Sequence, residues 1–217
     1  MQSRRIAQVA LLTFLFAAGV RADGARFWTV ESGKDLNEGK PEKITLTADE
    51  ALILAPRIKR LVDTGQPFIW CLGLDRRTGC LYAATGHEGR VLRIGADGDT
   101  ATVFDAGQAE VSALALNEKG DLFVGTSPEG AVYRLAGGQG PARLFYDPEE
   151  KYIWSLVFDS GGKLHVAVGP KGKVYRLDSG GKARLILDSD ETHIISLAFD
   201  RQGNLLAGSS GEALVVE

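Results

Sequence analysis

IWSLVFD at Ile153–Asp159 decides the fold, because the chain writes it four times. The other copies are IWCLGLD, VSALALN and IISLAFD, and the four end at Asp75, Asn117, Asp159 and Asp200, so the steps are 42, 42 and 41 residues. A Gly-containing turn follows each copy, then CLYAATG, DLFVGTS, KLHVAVG or NLLAGSS, and then a third strand-like run. Short apolar runs separated by Gly, Asp and Pro turns are the pattern of antiparallel strands.

A repeat of 40-odd residues that holds several short strands marks a blade of a β-propeller. Laid over one another, the copies predict four strand positions. Strand A covers 69–74, 111–116, 153–158 and 194–199, and strand B covers 80–85, 121–126, 163–168 and 204–209. Strand C reads RVLRI, AVYRL and KVYRL at 90–94, 131–135 and 173–177, and strand D ends at Asp105, Asp147 and Asp188. Period-two alternation in the A strands predicts a small face (Ile69, Cys71, Gly73; Val111, Ala113, Ala115) and a large one (Trp70, Leu72, Leu74; Ser112, Leu114, Leu116). Both faces are mostly apolar, so radial stacking of each blade on the next is expected to bury them.

The register runs backwards into residues 44–63. Ile44–Thr47 and Ala51–Leu54 are expected as strands B and C of an earlier unit, and Arg57–Asp63 as its strand D. Units are therefore expected at 44–63, 64–105, 106–147, 148–188 and 189–217, after an irregular lead-in over 23–43. The last copy ends inside strand C. An incomplete propeller of four to five blades is the expected class, because uncapped repeats expose core; a five-bladed ring closed by the N-terminal strands is the alternative. Open blades also create a route to edge-to-edge self-association.

Residues 1–22 read as a secretory signal. Arg4 and Arg5 precede an apolar run over Ile6–Val20, and Val20-Arg21-Ala22 offers a cleavage site. An uncleaved anchor is the alternative, though the run is short for a membrane span. The mature protein is then expected in the periplasm or outside the cell. Removing Arg4, Arg5 and Arg21 from the 25 basic residues leaves 22 against 28 acidic ones. That balance argues against nucleic acid and anionic membrane as partners. No second apolar stretch is long enough to span a bilayer. Cys71 and Cys80 are expected to stay unbridged, because the hairpin register sets Cys71 near residue 83 rather than opposite Cys80.

The runs Asp159-Ser160-Gly161-Gly162-Lys163-Leu164, Asp200-Arg201-Gln202-Gly203-Asn204-Leu205 and Gly172-Lys173-Val174-Tyr175-Arg176-Leu177 resemble the NHL, SMP-30/gluconolactonase and WD40/YVTN-type propeller repeats. The resemblance spans about residues 57–216. It implies a blade architecture rather than an activity, since propellers host many functions.

Asp and Asn residues that recur in every copy (Asp75, Asn117, Asp159 and Asp200; Asp63, Asp105, Asp147 and Asp188) read as turn-building residues. Function is expected where the copies differ, on the rim shared by the D–A and B–C loops. The candidates there are His87, Glu88, Glu129, Tyr152, Trp154, Lys171 and His193. The plain competing reading is a solvated acidic rim over core tryptophans. His165 reads as an inter-blade packing residue.

No nucleophile elbow, zinc signature, phosphate loop or EF-hand loop occurs. No catalytic residue or cofactor is predicted. The favoured function is a non-enzymatic scaffold that binds a protein, peptide or glycan. The resemblance implies a rival, a metal-dependent lactonase or lyase using Ca2+ held by acids from different blades. An inactive fragment of a larger propeller is the third reading.

Overall fold

The computed structural model describes residues 43–47, 51–55, 59–107, 110–212 and 215–216. The expected signal and almost all of the lead-in lie outside them. Contacts divide the chain into two units, residues 1–59 and 60–217. In the first, β1 (Ile44–Leu46) pairs antiparallel with β2 (Leu52–Leu54). The Thr47 hydroxyl donates to the Ala51 carbonyl and accepts the Ala51 N–H, which closes the turn. These two strands fall where B and C were expected. Residues 59–63 carry no strand, so that part of the expected D strand is corrected; residues 56–58 lie outside the described ones.

The second unit holds the repeats. Blade 1 comprises β3 (Ile69–Leu74), β4 (Leu81–Thr85), β5 (Arg90–Ile94) and β6 (Thr100–Asp105). Blade 2 comprises β7 (Glu110–Leu116), β8 (Leu122–Ser127), β9 (Gly130–Leu135) and β10 (Ala142–Glu150). Blade 3 comprises β11 (Tyr152–Phe158), β12 (Leu164–Gly169), β13 (Lys173–Leu177) and β14 (Ala183–Asp188). Blade 4 has β15 (Ile194–Phe199), β16 (Leu205–Ser209) and β17 (Val215–Val216) among the described residues. Each sheet is a simple meander with strands adjacent in chain order. The predicted strand positions hold to within a residue or two, except for β10, which runs on to Glu150 through two irregularities in its pairing with β9.

Every inner strand carries the same β-bulge. Pairing slips between Ile69 and Cys71, Val111 and Ala113, Ile153 and Ser155, and Ile194 and Ser196. One extra residue, at 70, 112, 154 or 195, therefore interrupts the alternation. This corrects the expected face assignment. Val111 packs with Val91, Ala84 and Leu114 against blade 1, while Ile153 packs with Ala113, Phe123 and Leu156 against blade 2. Ile194 packs with Ala167 and Val174 against blade 3. The backward face of a blade is thus all large: Val111, Leu114, Leu116; Ile153, Leu156, Phe158; Ile194, Leu197, Phe199. The forward face receives the small residues and the bulged one. Ser112 donates to the Ile153 carbonyl, and Ser155 Oγ accepts the Leu197 N–H at 3.2 Å.

The stacking depends on room for the large knobs. A Cβ on Gly125 would lie 2.5 Å from Ile153 Cγ2, so blade 2 offers a socket that only glycine leaves open. Phe123 meets Phe158 edge-on across the same interface, with centroids 5.1 Å apart. His165 is buried and meets Phe199 of blade 4 edge-on at 5.1 Å, in keeping with its packing role. Burial pushes its pKa down, toward the neutral form.

The recurring acids build turns. Asp159 accepts the N–H groups of Gly161 and Lys163, Asp200 those of Gln202 and Asn204, and Asn117 those of Lys119 and Asp121. Arg93 and Arg134 of strand C pair with Asp99 and Asp121. Cys71 pairs with Ala84 across the hairpin, and both cysteines are free. Burial pushes the Cys71 thiol up to about 12, with the Leu114 backbone bond pulling the other way, so it stays protonated at neutral pH.

Two predictions follow from this packing. Gly125→Ala should overpack the interface between blades 2 and 3 and destabilise the protein by about 1–3 kcal/mol. Chemical denaturation checks it, with Gly180→Ala as an exposed turn control. The second concerns Asp121, whose burial alone would raise its carboxyl. The Gly137 N–H, the Asn117 amide and the Arg134 guanidinium outweigh burial and hold it below the usual carboxylate range. Its contribution is then complete above the unfolded value of about 3.9 and is lost as pH falls through the folded one. Asp121→Asn should cost about 1–3 kcal/mol at pH 7 and flatten the acid limb of a stability–pH profile.

Candidate functional site

The D–A loops and the B–C turns meet at the end of the blades where the bulges lie. A bulge next to a site re-aims a side chain, and here it turns Ser112 toward Ile153 of blade 3 and Trp154 toward His193 of blade 4. Trp154 is the informative one. Its indole Nε1–H donates to His193 Nδ1 at 3.0 Å, across the seam between blades 3 and 4. Tyr152, two residues earlier, stacks on the indole with centroids 5.1 Å apart and planes at 21°. His193 meets both rings edge-on, at 5.4 Å from Trp154 and 5.6 Å from Tyr152. All three rings are half-buried. Gly169 makes the arrangement feasible, because a Cβ there would collide with the His193 ring and the Trp154 indole.

The hydrogen bond fixes the chemistry of His193. A neutral imidazole has one acceptor nitrogen and one donor nitrogen. With Nδ1 accepting from the indole, the proton resides on Nε2, which makes no hydrogen bond within the described residues.

Lys171 and Glu150 flank this cluster. Glu150 ends β10 with its side chain only 5% exposed, and Lys171 Nζ reaches it at 3.0 Å from the β12–β13 turn. The bond to Glu150 and its charge hold the Lys171 ammonium above its ordinary pKa. Glu129 is exposed and lines a cleft of about 260 Å3 together with Tyr133, Asp147 and Glu150. Tyr152, Trp154 and His193 therefore form one cluster, with Lys171 beside it through Glu150.

His87 and Glu88 stand apart, on blade 1. His87 sits exposed at the tip of the β4–β5 turn with a left-handed backbone, φ 73°. Glu88 pairs with Arg90 at 2.7 Å and accepts a hydrogen bond from Gln66. Blade 1 also carries a residue absent from the expected set. Phe68 stacks on Trp70 with centroids 5.7 Å apart and planes at 15°. The signal was present as the spacing Phe68-x-Trp70, which recurs 84 residues later as Tyr152-x-Trp154. Trp70 is 52% exposed and Trp154 half-buried, so the reading of both as core tryptophans is corrected.

No protein-family model matches the chain, and no curated protein matches it. Solved structures do. The WD40 β-propeller domain of Doa1 matches 68% of this chain at 16% identity with a TM-score of 0.57. Virginiamycin B lyase from Staphylococcus aureus matches 80% at 12% identity with a TM-score of 0.58, and a putative gluconolactonase matches 64% at 18% identity with a TM-score of 0.53. The chain spans 49%, 61% and 54% of those three structures, respectively. By fold the described residues form an array of antiparallel β-propeller blades. These likenesses assign no single family.

The cluster makes a direct prediction. His193→Phe keeps a ring against Tyr152 but leaves the Trp154 N–H without its acceptor, at a cost of about 1 kcal/mol. For a domain of this size that is a fall of about 2–4 °C in Tm, accompanied by a change in near-ultraviolet circular dichroism. His193→Gln, which supplies an acceptor, should recover part of it.

Proposed function

We propose that this chain is an exported, non-enzymatic propeller scaffold that binds a protein, peptide or glycan through its loop rim, with Tyr152, Trp154 and His193 at the centre of contact. One observation carries the reading, the Trp154 Nε1–H to His193 Nδ1 bond. A histidine that serves as a general base is oriented by an acceptor at one nitrogen and turns a lone pair to the substrate. His193 has the reverse arrangement. An indole donor holds it, and the nitrogen left over is a donor. Such a group recognises a carbonyl, hydroxyl or carboxylate oxygen and does not abstract a proton from it.

The rings around His193 suit the same role. Tyr and Trp supply large, rigid contact area at low conformational cost, which is why they dominate binding hot spots. Polar groups at the margin, Lys171 paired with Glu150 and Glu129 beside it, resemble the rim of an interface rather than its core. Charge favours a neutral or basic ligand, given the acidic balance of the chain after Ala22.

Screening the purified protein against glycan and peptide arrays tests this reading. Trp154→Ala should weaken any positive by about 30-fold, the effect of losing a hot spot of about 2 kcal/mol, while His87→Ala leaves it unchanged. Equal binding by wild type and Trp154→Ala would contradict the assignment. The rival enzymatic reading draws on the fold shared with a lyase and a putative gluconolactonase, and it calls for a bound divalent cation. Millimolar calcium or magnesium is expected to leave Tm within about 1 °C, whereas saturation of a tight site would stabilise by about 2.7 kcal/mol or more, several degrees for this size.

A further inference from the structure

We infer that blade 3 carries a binding site for a phosphate group, free or esterified on a small molecule, at the end of the blade opposite the loop rim. Charge is reversed there. Blades 1, 2 and 3 each hold an arginine at the same place, one residue before the end of strand C: Arg93, Arg134 and Arg176. Two slots of the same blade flank it, the residue before strand B and the residue before strand D. Blade 1 has Asp99 in the second slot, and Arg93 Nη1 reaches it at 3.4 Å. Blade 2 has Asp121 in the first, and Arg134 Nη2 reaches it at 2.7 Å. Blade 3 has Lys163 and Lys182 in the two slots, so both carry the sign of the arginine itself.

A fourth cation completes the group. The register sets Arg184 of β14 directly opposite Arg176 of β13, and like charges so placed destabilise a sheet. Blade 2 makes the same juxtaposition with Arg134 and Arg143, but there Asp121 neutralises Arg134. In blade 3, Lys163, Arg176, Lys182 and Arg184 are all exposed, and none has an ion pair among the described residues. They surround a cleft of about 210 Å3 whose lining comes from blade 3 alone. Asp178 is the one acid in that lining. Its Oδ1 accepts the Lys182 and Gly180 N–H groups, which together with the charges of Lys163 and Lys182 hold the carboxyl below its usual range. Four cations less one carboxylate leave a local charge of +3.

That charge and those donors select the ligand. A phosphate ester carries about −1.5 to −2 at pH 7 and three acceptor oxygens. The guanidinium fork matches phosphate geometry with two parallel bonds, and the lysines add compact charges beside it. A phosphate held between Arg176 and Arg184 also offsets their repulsion, which neither flanking lysine can do. The acidic balance of the whole chain does not oppose this, because salt screens exposed charges beyond about 8 Å at physiological ionic strength. A single cleft lacks the extended basic footprint that nucleic acid requires. No residue of the rim cluster takes part.

Titration calorimetry of the full chain tests the site with inorganic phosphate and phenyl phosphate, sodium chloride holding the ionic strength constant. Wild type is expected to bind at least one probe with a Kd of about 1 mM or tighter. Preference for phenyl phosphate would identify an ester as the ligand, and preference for inorganic phosphate the free ion; both support the site. Lys182→Asp gives Arg176 the carboxylate that Arg93 has, and it should weaken binding by about tenfold or more, the loss of a charge-assisted hydrogen bond. Its Tm without phosphate should be no lower than that of wild type, which separates loss of the site from loss of the fold. Arg76→Asp makes the same charge change on an exposed turn of blade 1, and screening should keep its affinity within about twofold of wild type. Failure of wild type to bind either probe would overturn the inference. So would an unchanged affinity in Lys182→Asp, or equal weakening by Lys182→Asp and Arg76→Asp, which signals a response to net charge alone.

Discussion

One extra residue near the start of each inner strand governs both the packing of this protein and its rim. A regular strand would send residues 111, 113 and 115 to one side. The bulge at 112 breaks that sequence and hands Val111 back to the preceding blade while Ala113 and Ala115 stay forward. Repeated at 154 and 195, it makes the backward faces of blades 3 and 4 large as well, while the smaller residues of each inner strand stay forward beside the bulged one. Close packing then becomes a single problem solved three times, and Gly125 shows how little slack the solution has.

The same residue reaches the rim. Its slot holds Trp70, Ser112, Trp154 and Ile195, the set with the widest spread of size in the A strands. Because the bulge turns this side chain forward at the loop end of the blade, a change there alters the rim without disturbing the knob beside it. Ser112 uses the position to tie blade 2 to the Ile153 carbonyl, which is structural work. Trp154 uses it to grip His193 and to expose part of its ring. A scaffold in which one slot is free to vary while its neighbour is held by packing can acquire a binding surface with little loss of stability.

Much of this was legible in the sequence, and the reasons for the rest are physical. The strand positions could be read because each is a short apolar run closed by an Asx or Gly turn, and the turn acids Asp159 and Asp200 bond the N–H groups that such turns present. The bulge was not legible, since period-two alternation looks the same with one residue inserted until the partner strand is known. Read without the bulge, alternation places Val111 on the small face with Ala113 and Ala115, whereas it packs on blade 1. At the rim, Tyr152, Trp154 and His193 could be picked out as variable loop residues, but their convergence crosses a blade seam and 39 residues of chain. Phe68 is hard to single out by pattern, because its partner spacing, two residues, is also the ordinary repeat of a strand. His87 shares only its loop type with His193, and it lies on blade 1 rather than blade 4.

The claim on which the functional reading rests is that His193 presents a donor. Long-range proton–nitrogen correlation spectra of the histidine side chains at neutral pH test it most directly. The His193 ring should show a protonated Nε2 and an unprotonated Nδ1, and Trp154→Phe should weaken that preference. A ring with its proton on Nδ1, unaffected by Trp154→Phe, would contradict the bond and with it the assignment of this rim to recognition.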